Sequence, residues 1–156
     1  MYDKIMVPLD GSELAECVLP HVEAIAGGCG AKNVIFIRVV EPFYVPEYVY
    51  ASVVGAIAPE EVDAENKAQA KKYLDKVISG LKLEDAKSRA EVILGKPADV
   101  LATYASKNKV DLIIIATHGR SGVSRWVWGS VADKVLRSAC APVFMVRPPG
   151  CIPGIK

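Results

Sequence analysis

Residues 112–138 read LIIIATHGRSGVSRWVWGSVADKVLRS, and this stretch decides the fold. Its opening, Leu112–Ala116, is apolar without alternation, as in a parallel strand buried on both faces. Its close, Ser130–Ser138, has helical spacing. Between them Thr117–Gly129 carries glycines and small polar residues, the composition of a loop. A buried strand, a glycine-bearing loop and a helix in that order make half of a βαβ unit.

Working outward, Ile5–Leu9 and Val34–Val40 have the same unalternating character, and Arg89–Leu94 and Val143–Val146 are weaker runs of it. Helical patterns fill the gaps. Ser12–Ala26 carries Leu14, Val18, Leu19, Val22 and Ile25 at helical spacing behind Ser12, an N-cap residue. Pro20 is expected to kink this helix, because it has no N–H to offer the carbonyl of Glu16. Pro59–Leu81 opens with Pro59, Glu60 and Glu61, which suit a first turn, and Ala98–Ser106 supplies a further helix. The order βαβαβαβαβ predicts an α/β fold: a single doubly wound, five-stranded parallel sheet with helices on both faces, Rossmann- or flavodoxin-like. There are no repeats or linkers. One domain over 1–148 is expected, with an extended tail over 149–156.

Composition narrows the function. The 156 residues are 51% apolar and 24% charged, and Lys plus Arg (19) nearly balances Asp plus Glu (18). No basic stripe is present to hold nucleic acid. No apolar run is long enough to span a bilayer, and MYDKIMVPLD lacks the features of a secretory signal. A cytoplasmic protein with no nucleic-acid or membrane partner is expected. Cys17, Cys29, Cys140 and Cys151 are widely spaced without a C-x-x-C pair, which argues against a zinc site or disulfide framework; Cys17 and Cys140 read as buried thiols in helices. Residues 42–58 form a long connection whose aromatics, Phe43, Tyr44, Tyr48 and Tyr50, suit either a lid over a ligand or packing on the sheet edge.

In doubly wound folds ligands bind beyond the carboxyl ends of the strands, where the winding reverses. That singles out Pro8–Ser12 and Thr117–Gly129. The start of a helix at Gly129-Ser130 aims unpaired N–H groups and the positive end of its dipole into this crevice, worth about 0.3–1 kcal/mol to an anion. Ser130 with Asp133 three residues on matches a capping box. Gly119 and Gly129 let backbone amides approach a phosphate, and Arg120, Ser121, Ser124 and Arg125 add donors. Neither a Walker A loop nor the G-x-G-x-x-G fingerprint occurs. By itself the loop fits phosphate binding and an ordinary connection equally.

The spacing adds to this. Ala116-x-x-Gly119, nine residues, then Gly129-Ser130 resembles the nucleotide-binding motif of the universal stress protein family: glycine, two residues, glycine, nine residues, glycine, then serine or threonine. KIMVPLDGSELAECVLP, VIFIRVVEP, GKPADVLATYA, VDLIIIATHGRSG and SVADKVLRSACAPVFMVR extend the resemblance over essentially the whole chain. It implies strand order 3-2-1-4-5 and adenine-nucleotide binding (ATP, or ADP or AMP, with or without magnesium). Pro8, Leu9 and Asp10 would border the adenosine, with Asp10 bonding the sugar or base. Val39 would contact the adenine face, and Ile115 and Ala116 would line the floor. Gly119, Gly129, Ser130 and Val131 would supply donors to the phosphates; His118 would contact the ligand through its backbone or shape the loop, beside Arg120. The motif's first glycine is Ala116 here, a position expected to require only a small residue.

The resemblance also implies a homodimer, formed through the last strand around Pro142–Arg147, whose apolar edge invites pairing. A stress-response regulator whose nucleotide alters its choice of protein partner is the leading expectation. Two alternatives stay open: a slow ATPase using Asp10 or His118 as base, and an interaction protein without nucleotide. Asp10 has the alternative reading of organiser of its own turn, its position at the switch point favouring the ligand role, and Trp126 and Trp128 read as packing or partner contacts. His21 reads as structural, and Arg38 as a cation on the crevice side with an acidic neighbour.

Overall fold

The computed structural model describes residues 1–44, 59–83, 86–117 and 129–148. Ten elements follow one another: β1 (Lys4–Pro8), α1 (Glu13–Glu16), α2 (Leu19–Cys29), β2 (Asn33–Val40), α3 (Pro59–Ser79), β3 (Lys87–Leu94), α4 (Pro97–Lys107), β4 (Leu112–Ala116), α5 (Ser130–Ser138) and β5 (Val143–Val146). The strands form one parallel sheet in the order β3-β2-β1-β4-β5, as expected. Three strands start before their apolar runs, since Lys4, Asn33 and Lys87 pair in register at the amino edge; backbone pairing there needs no apolar side chain.

Side chains alternate across the sheet, and both faces are covered. Ile5, Val7, Val34 and Phe36 face Ala15, Val18, Val22 and Leu74 of the α1, α2 and α3 side. Met6, Ile35, Ile37 and Ile113 face Leu101, Ala105, Ala132 and Val135 of α4 and α5. Unalternating strands therefore report a two-sided core. At the amino edge, Lys4 Nζ donates to the Asn108 carbonyl at 2.6 Å and Asp111 accepts from the Lys4 amide at 2.8 Å, tying β1 to the turn before β4.

Two local expectations need correction, and one open alternative is narrowed. Ser12–Ala26 is not one kinked helix but two, α1 and α2. Pro20 stands in the first turn of α2, where a missing N–H costs nothing, and the α2 ladder begins with Val22 N–H to Val18 at 2.9 Å. Cys140, expected to be buried, is exposed, because α5 ends at Ser138 and residue 140 falls in the turn beyond. Phe43 and Tyr44 are exposed rather than packed on the sheet edge; the remaining aromatics of 42–58 lie outside the described residues. Among the described residues no helix is long and apolar enough to cross a membrane.

Candidate functional site

The carboxyl edge of the sheet is stepped. β1 and β4 end at Pro8 and Ala116, while β2 continues to Val40, three residues past the Pro8↔Ile37 pair. Over this step opens a cavity of about 730 Å³. Nine of the residues singled out in the sequence line it: Pro8, Leu9 and Asp10 after β1, Val39 on β2, Ile115 and Ala116 on β4, and Gly129, Ser130 and Val131 where α5 begins. His118, Gly119 and Arg120 lie outside the described residues.

The turn after β1 is tightly specified. Leu9 N–H donates to the Ile37 carbonyl at 2.9 Å, holding the chain against β2. Asp10 Oδ1 accepts from the Ser12 amide at 3.0 Å and from Ser12 Oγ at 2.6 Å, and Ser12 Oγ caps α1 by accepting from the Ala15 amide at 3.2 Å. Between them Gly11 takes φ +86°, which a side chain would make costly. Asp10 thus organises its turn and also faces the cavity.

The glycine loop closes on itself. Thr117 is buried, its N–H donating to Val146 at 2.8 Å, and its carbonyl accepts from the Gly129 amide at 2.8 Å. Thr117 and Gly129, the residues that flank 118–128, are therefore bonded to each other. The capping box is not formed: Gly129 is the N-cap, Ser130 is already helical, and Asp133 binds Arg137 at 3.0 and 3.1 Å. The Gly129 amide is spent on Thr117, so the donors at this helix start are the N–H groups of Ser130, Val131 and Ala132. They precede the first helical bond, Asp133 to Gly129 at 3.0 Å. Gly129 itself has φ −54°, open to any residue, so its contribution is the absence of a Cβ. Ala116 is unstrained, since Lys109 alone among described non-glycine residues has positive φ.

Other lining residues carry no mark in the sequence, notably Glu41, Asn66 and Gln69. For Arg38 the sequence predicts an acidic partner. Its guanidinium instead lies over the ring of Tyr73, 5.3 Å from the centroid. Tyr73 OH donates to Glu16 at 2.9 Å. Burial, then this bond to a carboxylate, then the nearby charges of Glu16 and Asp10 push the phenol's ionisation well above its ordinary range, with Arg38 opposing. One signal of Arg38 was present: a lone charge inside the apolar run NVIFIRVV. Asn66 and Gln69 carried none, being polar residues on a largely polar helix.

In chemical terms the cavity offers a carboxylate beside the edge of β1, apolar walls at Val39, Ile115 and Leu101, and a hydroxyl with three amides at a helix start. That set suits a ligand with a flat apolar part, hydroxyl groups and a phosphate. Among the described residues no three His, Cys, Asp or Glu side chains converge as a metal site.

Comparison with known proteins gives concordant matches. The model of the universal stress protein family matches residues 1–147. The universal stress protein MJ0531 of Methanocaldococcus jannaschii is 30% identical over 151 residues, spanning 96% of this chain and 84% of the relative. The solved structure of MJ0577, a universal stress protein of the same organism, matches with a TM-score of 0.79 at 29% identity, over 96% of this chain and 99% of that one. The Arabidopsis thaliana universal stress protein family protein At3g01520, solved with AMP bound, matches with a TM-score of 0.63 at 16% identity, over 94% and 92% of the two chains. At that identity the likeness is one of fold.

Proposed function

We propose, from the premise that this chain belongs to the universal stress protein family, that it is an adenine-nucleotide-binding regulator. One observation carries the reading: Asp10 and the start of α5 border the same cavity at the point where the sheet's winding reverses. The AMP held by the A. thaliana neighbour agrees with it.

In this reading Val39 lies against the adenine, Pro8, Leu9, Ile115 and Ala116 bound the nucleoside, and Asp10 accepts from its sugar or base. The Ser130 hydroxyl and the amides of Ser130 and Val131 hold phosphate at the positive end of α5. Gly129 keeps the approach open; Gly119 would add a further donor to the phosphates, with His118 and Arg120 beside it in sequence. Magnesium would arrive on the phosphates, since Mg²⁺ commonly relies on substrate oxygens and few protein ligands. Homodimerisation through β5 and its flanks, Pro142–Arg147, would make nucleotide occupancy visible to a protein partner.

The test is thermal unfolding with ATP, ADP and AMP, with and without magnesium, beside Gly129→Asp. Residue 129 has a backbone conformation that accepts a side chain, and aspartate is a good N-cap. The variant therefore stays folded while placing a carboxylate where the phosphate would sit. A ligand at a hundred times Kd should stabilise the wild type by about 2.7 kcal/mol, roughly 5–11 °C for a domain of this size, and the variant hardly at all. No shift with any of the three nucleotides would overturn the reading. Phosphate release in the same samples separates a binding protein from a slow ATPase.

A further inference from the structure

The polar contacts assigned above come from β1, β4 and α5. The same cavity also reaches side chains of β2 and α3, where Arg38, Asn66 and Gln69 line it, and the nucleotide reading leaves these unused.

Arg38 is held there from two directions. Its guanidinium stacks on Tyr73, itself fixed by the bond to Glu16. It also occupies the space that a side chain at position 11 would need: a Cβ on Gly11 would fall 2.9 Å from Nη1 and 3.0 Å from Cζ. A long, entropically costly side chain is thus pinned by a ring and a backbone. Yet among the described residues no carbonyl or carboxylate accepts a hydrogen bond or ion pair from it. Glu16 is engaged by Tyr73 and Asp10 Oδ1 by Ser12. These two carboxylates and Glu41, which also lines the cavity, offset its charge. A ligand is therefore selected by the guanidinium's paired donors rather than by net attraction. Such a fork fits a flat or tetrahedral oxyanion in bidentate fashion.

β2 and β4 flank β1 on opposite sides, so their backbones run about 10 Å apart; Arg38 enters the cavity from the face covered by α3 and the α5 start from the opposite face. Two anion-recognising positions then border one nucleoside-sized space. We propose that Arg38 forms a second phosphate subsite, so that the cavity takes an adenine nucleotide bearing an additional phosphomonoester on its ribose, or a nucleotide together with free phosphate. The proposal rests on the nucleotide reading and deepens it.

Calorimetric titration tests it with AMP, adenosine 2′,5′- and 3′,5′-bisphosphate, and AMP in the presence of inorganic phosphate, against the wild type, Arg38→Met and Arg38→Lys. One bisphosphate is expected to bind the wild type about tenfold tighter than AMP, the size of one charge-assisted contact. Arg38→Met should abolish that gain while AMP binds as before, which also reports that the variant is folded. Arg38→Lys should keep only part of it, having charge without the fork, and carries the test should the methionine variant not fold. If inorganic phosphate instead tightens AMP binding, and does so only with Arg38 present, the subsite stands and its occupant is the free ion. Bisphosphates and phosphate that add nothing to AMP, or a gain that survives in Arg38→Met, would overturn the proposal and leave the nucleotide reading intact. Absence of all nucleotide binding would overturn both.

Discussion

Tyr73 and Gly11 show how single residues hold the Arg38 side of the cavity. The phenol is kept protonated by burial and by the Glu16 carboxylate that accepts its hydrogen. Its ionisation in the folded state lies above that in the unfolded chain, which is near pH 10. Above that pH the unfolded chain gives up a proton that the folded protein retains, so the stabilisation is complete below about pH 10 and is lost as pH rises beyond it. Urea unfolding at pH 7 and near pH 11 should show a steeper alkaline loss in the wild type than in Tyr73→Phe. That variant should cost about 0.5–1.5 kcal/mol at neutral pH through the deleted bond. Equal alkaline losses would mean that Tyr73 is not a protected donor. Gly11→Ala should destabilise by about 1–2 kcal/mol, because φ +86° is left-handed and the new methyl meets the Arg38 guanidinium; unchanged stability would contradict both contacts. Gly11 lies within Pro8–Ser12, the stretch the sequence singles out, but the guanidinium filling its side-chain space comes from β2, and no local pattern reports that.

At the scale of elements, α2 carries opposite glycine lessons within a few residues. Gly28 is helical with open space where a Cβ would stand, whereas Gly30, its C-cap, has φ +64°. The Ala31 amide reaches back to the Ala26 carbonyl at 2.9 Å, closing the helix end. Gly28→Ala should therefore stabilise by about 0.5–1 kcal/mol, and Gly30→Ala should destabilise by a similar amount or more. Chemical denaturation of the two variants side by side checks the sign of each. Strands were legible from continuous apolar runs: β4, and β5 with its shorter and weaker run, fall where those runs place them. The break between α1 and α2 was not. A proline permits either a kinked helix or the first turn of a new one, and packing of Val18 and Val22 on the sheet selects the second. The start of α5 falls where the sequence places it, but its capping box does not form, because Asp133 binds Arg137 instead.

For the whole molecule, β5 is one of the two edge strands of the sheet, β3 being the other. The carbonyls of Pro142 and Val146 bind β4, at 2.9 and 2.8 Å, so by strand alternation Val143 and Met145 turn their backbone groups outward. Phe144 is partly exposed nearby, 5.8 Å from the His21 ring, which accords with a packing role for that histidine. Met145→Pro removes an outward N–H and none that serves this sheet, a position where edge strands tolerate proline. If two copies pair through β5, as proposed, light scattering will find the wild type dimeric and this variant monomeric with its fold retained. A dimer that persists in the variant would place the contact elsewhere. The four ion pairs between described residues are all substantially exposed, so salt should change monomer stability little.

The sequence by itself determined the class, the strand order through family resemblance, and the two loops that meet at the carboxyl edge. Burial on both faces leaves an unalternating apolar run, and turn and cap residues act within a few positions of themselves, so both are written locally. Only the tertiary structure decided that Arg38 lies between Tyr73 and Gly11, that the Gly129 amide is consumed by Thr117, and that Asn66 and Gln69 reach the cavity from α3. Those facts depend on which strands and helices are neighbours and how far each extends. A hydrogen-bond donor or a guanidinium has no sequence pattern for its partner when that partner is brought by another element.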